Sequence, residues 1–82
     1  MTYKAPDHDT LQRWMKIYLA TLIGESVDSL DTSDPLSEYD LDSIDAVTMA
    51  IEMEQKFDIE VHPETFLASE TSILEISNQF CQ

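Results

Sequence analysis

The chain is poor in the residues that break or staple a fold: one glycine, three prolines and one cysteine in 82 residues. So little Gly and Pro in the periodic segments argues against many short strands joined by tight turns, and favours helices. The lone Cys81 excludes an internal disulfide and fits a reducing compartment; it reads as a surface or fraying-end thiol. Positive charge is equally scarce. Four Lys and Arg face 17 Asp and Glu, a formal net charge of −13, and no Lys or Arg stands between Lys16 and Lys56. That balance disfavours nucleic acid and anionic membrane surfaces by repulsion, and points to a protein partner that presents Lys and Arg. No apolar run is long enough to cross a bilayer, and no basic region followed by an apolar run and a small-residue cleavage site opens the chain. The expectation is a soluble cytoplasmic protein. A chain this short makes one small domain, expected to be a monomer, that cannot enclose a deep catalytic cleft.

What is present is helical periodicity, in a chain whose 43% hydrophobic residues are too many for a disordered tail. Residues 1–8 show no period and read as a mobile lead-in to a single domain over 9–82, which leaves His8 solvated. Leu11, Trp14, Met15, Tyr18, Leu19, Leu22 and Ile23 paint one face of a first helix, with Asp9 and Gln12 as a capping box and Gly24 as its stop. Trp14 and Tyr18, at core spacing beside aliphatics, read as core. Residues 24–42 form a long connection that Val27, Leu30, Leu36, Tyr39 and Leu41 can fold down onto the helices. Its acidic run from Asp31 fails as a calcium loop, because Pro35 falls where a ligand is needed, Leu36 where the Gly is needed and Asp42 in place of the final Glu. A second helix runs from about Ser43 to Phe57 with two apolar stripes. Ala46, Met49, Ala50, Met53 and Phe57 form the core face; Ile44, Val47 and Ile51 form another, flanked by Asp45, Thr48, Glu52 and Glu54 and expected to be exposed to a partner. Pro63 opens a single short helical turn over residues 63–68, and Ser72 with Glu75 caps a last helix carrying Ile73, Ile76 and Phe80. His62 lacks a second His or Cys at ligand spacing, so no metal site is expected.

The stretch Asp40-Leu41-Asp42-Ser43-Ile44-Asp45-Ala46-Val47 is the most informative. Ser43 stands at a helix start, where unpaired N–H groups and the helix dipole favour a phosphate. No His or Lys is near to take its proton, and the surrounding carboxylates oppose an alkoxide, so Ser43 is unsuited as a catalytic nucleophile. Two readings of it remain: an acceptor modified by another protein, or an N-cap worth about 1 kcal/mol.

With these residues in view, the chain resembles the acyl carrier proteins from the Leu11 helix to Phe80. Asp42-Ser43-Ile44, continued by Asp45-Ala46-Val47, is similar to the family's Asp-Ser-Leu motif. The resemblance implies an all-α, small four-helix bundle with a long first loop and a very short third helix, and a carrier rather than an enzyme. Ser43 would hold 4′-phosphopantetheine, installed from coenzyme A by a magnesium-dependent phosphopantetheinyl transferase, with Asp42 flanking the site. Acyl groups held as thioesters would pass to synthase enzymes with basic surfaces, which dock on Ile44, Asp45, Val47, Ile51, Glu52 and Glu54, and Met49 and Met53 would line a shelter for the acyl chain. Pathways of fatty acid, polyketide or related lipid biosynthesis are implied, with an aminoacyl or peptidyl carrier and an acidic interaction module as alternatives. The sequence departs from the family in Asp40, where a Gly is usual, and in Ile44, where a Leu is usual; Asp tolerates a left-handed backbone, so the turn is expected to survive.

Overall fold

The computed structural model describes residues 7–68 and 70–80, and among them every regular element is helical. Four α-helices follow in order: α1 His8–Ile23, α2 Ser43–Phe57, α3 Glu64–Leu67 and α4 Ile73–Phe80. The expected all-α bundle with a very short third helix is therefore what the chain forms. The lead-in expected over residues 1–8 falls mostly on residues 1–6, outside the described residues. His8 is already part of α1 and half-buried, and the helix is capped by Asp7, whose carboxylate accepts from the Thr10 N–H at 2.7 Å. This corrects the Asp9–Gln12 capping box. Gln12 instead reaches across the bundle, and its amide donates to the Ser77 hydroxyl at 3.0 Å.

The core is one cluster. Leu11, Met15 and Leu19 of α1 meet Met49 and Met53 of α2, Phe66 of α3, and Ile73 and Ile76 of α4, all essentially without solvent contact. Fully burying a side chain of this size contributes about 1.5–3 kcal/mol, so this small set dominates the stability. The buried Ser77 is compatible with that core because both its hydrogen-bonding roles are filled: it accepts from Gln12 and donates to the Leu74 carbonyl at 2.8 Å. The apolar face of α1 is shorter than its periodicity suggests. Leu22 and Ile23 are partly exposed, because the last turn of α1 runs past the core. Gly24 ends it at φ 74°, and the N–H groups of Gly24 and Glu25 both close on the Ala20 carbonyl.

The long connection is ordered by its own apolar residues. A 3₁₀ turn at Val27–Ser29 and another at Leu36–Tyr39 bury Leu30, Leu36 and Tyr39, while Val27 and Leu41 pack at the edge of the core. Backbone bonds stitch this loop to the start of α4: the Leu36 N–H donates to the Thr71 carbonyl at 2.8 Å, and the Leu74 N–H to the Thr32 carbonyl at 3.0 Å. The Leu74 bond and the Ser72 hydroxyl, which accepts from the Glu75 N–H at 3.2 Å, satisfy two donors in the first turn of α4. Loop 24–42 thus delivers the chain to Asp42 along a fixed path.

Candidate functional site

Asp40 makes the last bend before α2, at φ 51° and ψ 48°, the left-handed conformation that a short polar side chain tolerates. The expected turn survives without glycine. Asp42 then adopts an extended backbone and caps α2: its carboxylate accepts from the Asp45 N–H at 2.8 Å, and the Asp45 carboxylate accepts from the Asp42 N–H at 3.4 Å. This reciprocal pair corrects the reading of Ser43 as an N-cap. The cap is Asp42, and Ser43 is the first helical residue, exposed, with its hydroxyl outside the capping box. The signal was in the sequence, since Asp is as good a cap as Ser and an acid stands three residues on. The N–H groups of Ser43 and Ile44 also stay outside the box, at the positive end of the α2 dipole. An exposed hydroxyl beside free N–H donors fits the attachment of a phosphodiester, whose charge those donors would face.

Along the 15 residues of α2 the two stripes separate as their spacing predicts. Ala46, Met49, Ala50 and Met53 are buried and Phe57, expected on the same face, is half-buried against the edge of the core, whereas Ile44 is 74% exposed, Ile51 48% and Val47 41%. The acids around the second stripe are placed differently from one another. Asp45 is in the capping box. Glu52 lies beside the Tyr18 hydroxyl of α1. Glu54 turns toward the connector, where one carboxylate oxygen accepts from the Val61 N–H at 2.8 Å and holds residues 58–62 against the bundle. Both of these longer-range partners are fixed by tertiary packing and have no local sequence signal.

Two surface clefts are formed by described residues. One of ≈ 210 Å³ lies beside the turn into α2, lined by Leu36, Ser37, Asp40, Leu41, Phe66 and Leu67. The other, of ≈ 330 Å³, runs along α1 and is lined by Trp14, Ile17, Tyr18, Thr21 and Leu22. Trp14 and Tyr18 are thus half-buried walls of a surface cleft, correcting their reading as plain core. Their rings stack at 5.3 Å between centroids, and Trp14 meets Phe57 of α2 edge-on at 5.8 Å. Met49 and Met53, expected to line an acyl shelter, are closed into the core. Around the loop acids no group of three or more His, Cys, Asp or Glu could hold a metal ion among the described residues. Asp31 instead accepts from the Ser33 hydroxyl and, after it, from the Ser33 backbone N–H, which hold its carboxyl below the usual carboxylate range.

This arrangement offers a solvent-facing hydroxyl at a helix start. Residues 13–80 match the family model described as the phosphopantetheine attachment site. The chain belongs to that family. Among curated proteins none matches it. The match takes in all of α2, α3 and α4 and most of α1, so the resemblance to acyl carrier proteins read from the Asp42-Ser43-Ile44 motif is borne out, as is the phosphopantetheine cofactor. The protein is a phosphopantetheine-bearing carrier, a class that delivers bound groups to other enzymes and is modified by a phosphopantetheinyl transferase. Among the described residues no helix is long and apolar enough to cross a membrane.

Proposed function

We propose that Ser43 is the residue that carries 4′-phosphopantetheine, and that the carrier presents acyl thioesters to cytoplasmic enzymes of fatty acid, polyketide or related lipid biosynthesis. The observation that carries this reading is the position of Ser43: exposed, first in α2, and relieved of capping by Asp42 and Asp45. The prosthetic group would supply a thiol on a flexible arm. Asp42 orients the first turn, and the free N–H groups of Ser43 and Ile44 would face the phosphate.

Docking is assigned to the exposed face of α2. Ile44, Val47 and Ile51 supply apolar contact, and Asp45, Glu52 and Glu54 supply charge that basic surfaces on the transferase and on acyl-processing enzymes would read. Encounter through such a rim weakens as salt is raised. Glu54 keeps one oxygen on Val61, so its share of the docking is smaller than that of Glu52.

The test is the intact mass after incubation with coenzyme A, magnesium and a broad-specificity phosphopantetheinyl transferase. One phosphopantetheine addition is expected on the native chain and none on Ser43→Ala. Addition to the variant would move the attachment from Ser43 to another residue, and no addition to the native chain, with folding confirmed by circular dichroism, would return α2 to the reading of an acidic interaction surface.

A further inference from the structure

The cleft beside the turn into α2 holds a carboxylate that the fold does not use. Leu36 and Phe66, both buried, lie at its floor, Leu41 and Leu67, the latter 45% exposed, at its sides, and Ser37 and Asp40 at its polar edge. The Asp40 N–H donates to the Ser37 carbonyl at 3.3 Å, whereas the exposed Asp40 carboxylate has no partner among the described residues. Asp42 and Asp45, closer to Ser43, differ from it: each carboxylate accepts from the other residue's N–H in the capping box. No Lys or Arg stands between Lys16 and Lys56, so neither the loop nor the start of α2 supplies a cation.

We propose that this cleft takes one Arg or Lys side chain of the phosphopantetheinyl transferase, its alkyl stem laid over Leu41 and Leu67 and its charged head on the Asp40 carboxylate. The proposal rests on the carrier reading above and adds a contact outside the α2 residues assigned to docking. Size, chemistry and place each favour this occupant. At ≈ 210 Å³ the cleft falls below the ordinary range of ligand pockets, about 300–1,000 Å³, and suits a single side chain. An apolar trough ending at one unpaired carboxylate matches the way Arg and Lys lay their stems on apolar surface and keep the charge at its edge. Its sign is complementary to a basic side chain and repels another copy of a chain that carries −13. Asp40 stands three residues before Ser43, so an enzyme that forms a bond at the Ser43 hydroxyl must approach the turn at 40–42. Acyl-processing enzymes would meet the thiol at the end of a flexible arm, and need not touch that turn.

Asp58 supplies the control. It is exposed and left-handed like Asp40, at φ 55° against 51°, but follows the far end of α2 and lines neither cleft. The rate of phosphopantetheine addition is followed by intact mass, with the apo carrier varied at saturating coenzyme A and magnesium and a broad-specificity transferase. Asp40→Asn removes the charge and keeps a residue that tolerates the left-handed turn; Asp40→Gly removes the side chain without straining it. Circular dichroism checks the folding of each variant. Both are expected to raise KM about tenfold with kcat nearly unchanged, as for loss of a close interfacial charge pair, and the deficit should shrink as salt is raised. Asp58→Asn should stay within about twofold of the native chain, as an exposed charge outside the contact. Leu67→Ser, which shortens the apolar side of the trough, should raise KM severalfold. Asp40→Asn within about twofold of the native chain would overturn the proposal, and so would equal losses in Asp40→Asn and Asp58→Asn, which would leave net charge as all that the transferase reads. A fall in kcat at unchanged KM would overturn it too, moving Asp40 from docking to the reaction at Ser43. Absence of any mass gain on the native chain would overturn the carrier reading itself, and this proposal with it.

Discussion

Two residues of the loop carry opposite stability consequences. Asp40 holds a left-handed backbone that a β-carbon without local hydrogen bonding resists, so Asp40→Ala is expected to lower stability by about 1 kcal/mol, while Asp40→Gly stays within about 0.5 kcal/mol of the native chain. Thermal or denaturant midpoints of the pair, compared with the native chain, check this. Tyr39 is buried, yet its hydroxyl has no hydrogen-bond partner among the described residues. Burial, and after it the charges of Asp34, Asp31 and Glu38, push its pKa up. Because an unpaired buried hydroxyl costs rather than stabilises, Tyr39→Phe should leave the protein at least as stable, with a gain of up to about 1 kcal/mol in urea unfolding. A loss of stability in that variant would mean that the hydroxyl is satisfied.

Between elements, the contact of Tyr18 with α2 responds to pH. Burial, followed by the hydrogen bond and charge of Glu52 and the charge of Asp45, raises Tyr18 from 10.0 to about 12. A phenol whose pKa is higher in the folded than in the unfolded state stabilises the fold while protonated. That contribution is complete below pH 10 and is lost as pH rises toward about 12. Melting midpoints followed through this window should fall for the native chain and fall less steeply for Tyr18→Phe; parallel curves would sink the assignment. Such links mark the limit of what the sequence made legible. The 3.6-residue period placed α2 to the residue and separated its buried face from Ile44, Val47 and Ile51, because that information is local. The same period could not say that Glu54 would hold Val61, that Gln12 would reach Ser77, or that Trp14 would wall a cleft instead of filling the core. Those pairings depend on how helices distant in sequence pack. The cap of α2 was a local signal read on the wrong residue, and the Asp42–Asp45 reciprocity resolves it.

At the scale of the whole molecule, charge sets the terms. Seventeen acids against four Lys and Arg repel one another in any compact state, and more so in a domain of radius of gyration 12.0 Å. Raising sodium chloride from about 10 mM to about 150 mM shortens the Debye length from roughly 30 to 8 Å, so the melting midpoint should rise with salt even as docking to basic enzymes weakens. Opposite salt trends for stability and for transferase turnover would separate self-repulsion from recognition. The stitches between residues 32–36 and 71–74 have a consequence of another kind. They clasp the chain into a closed ring that contains α2 and α3, with α1 and α4 as the ends outside it. Ring closure over so long a span costs entropy before any contact within the ring repays it, which places the clasp late in folding. Once shut, the clasp makes the Leu36 and Leu74 amides sentinels: their deuterium exchange times the breathing of the whole Ser43 segment, which can swing out only when its base lets go.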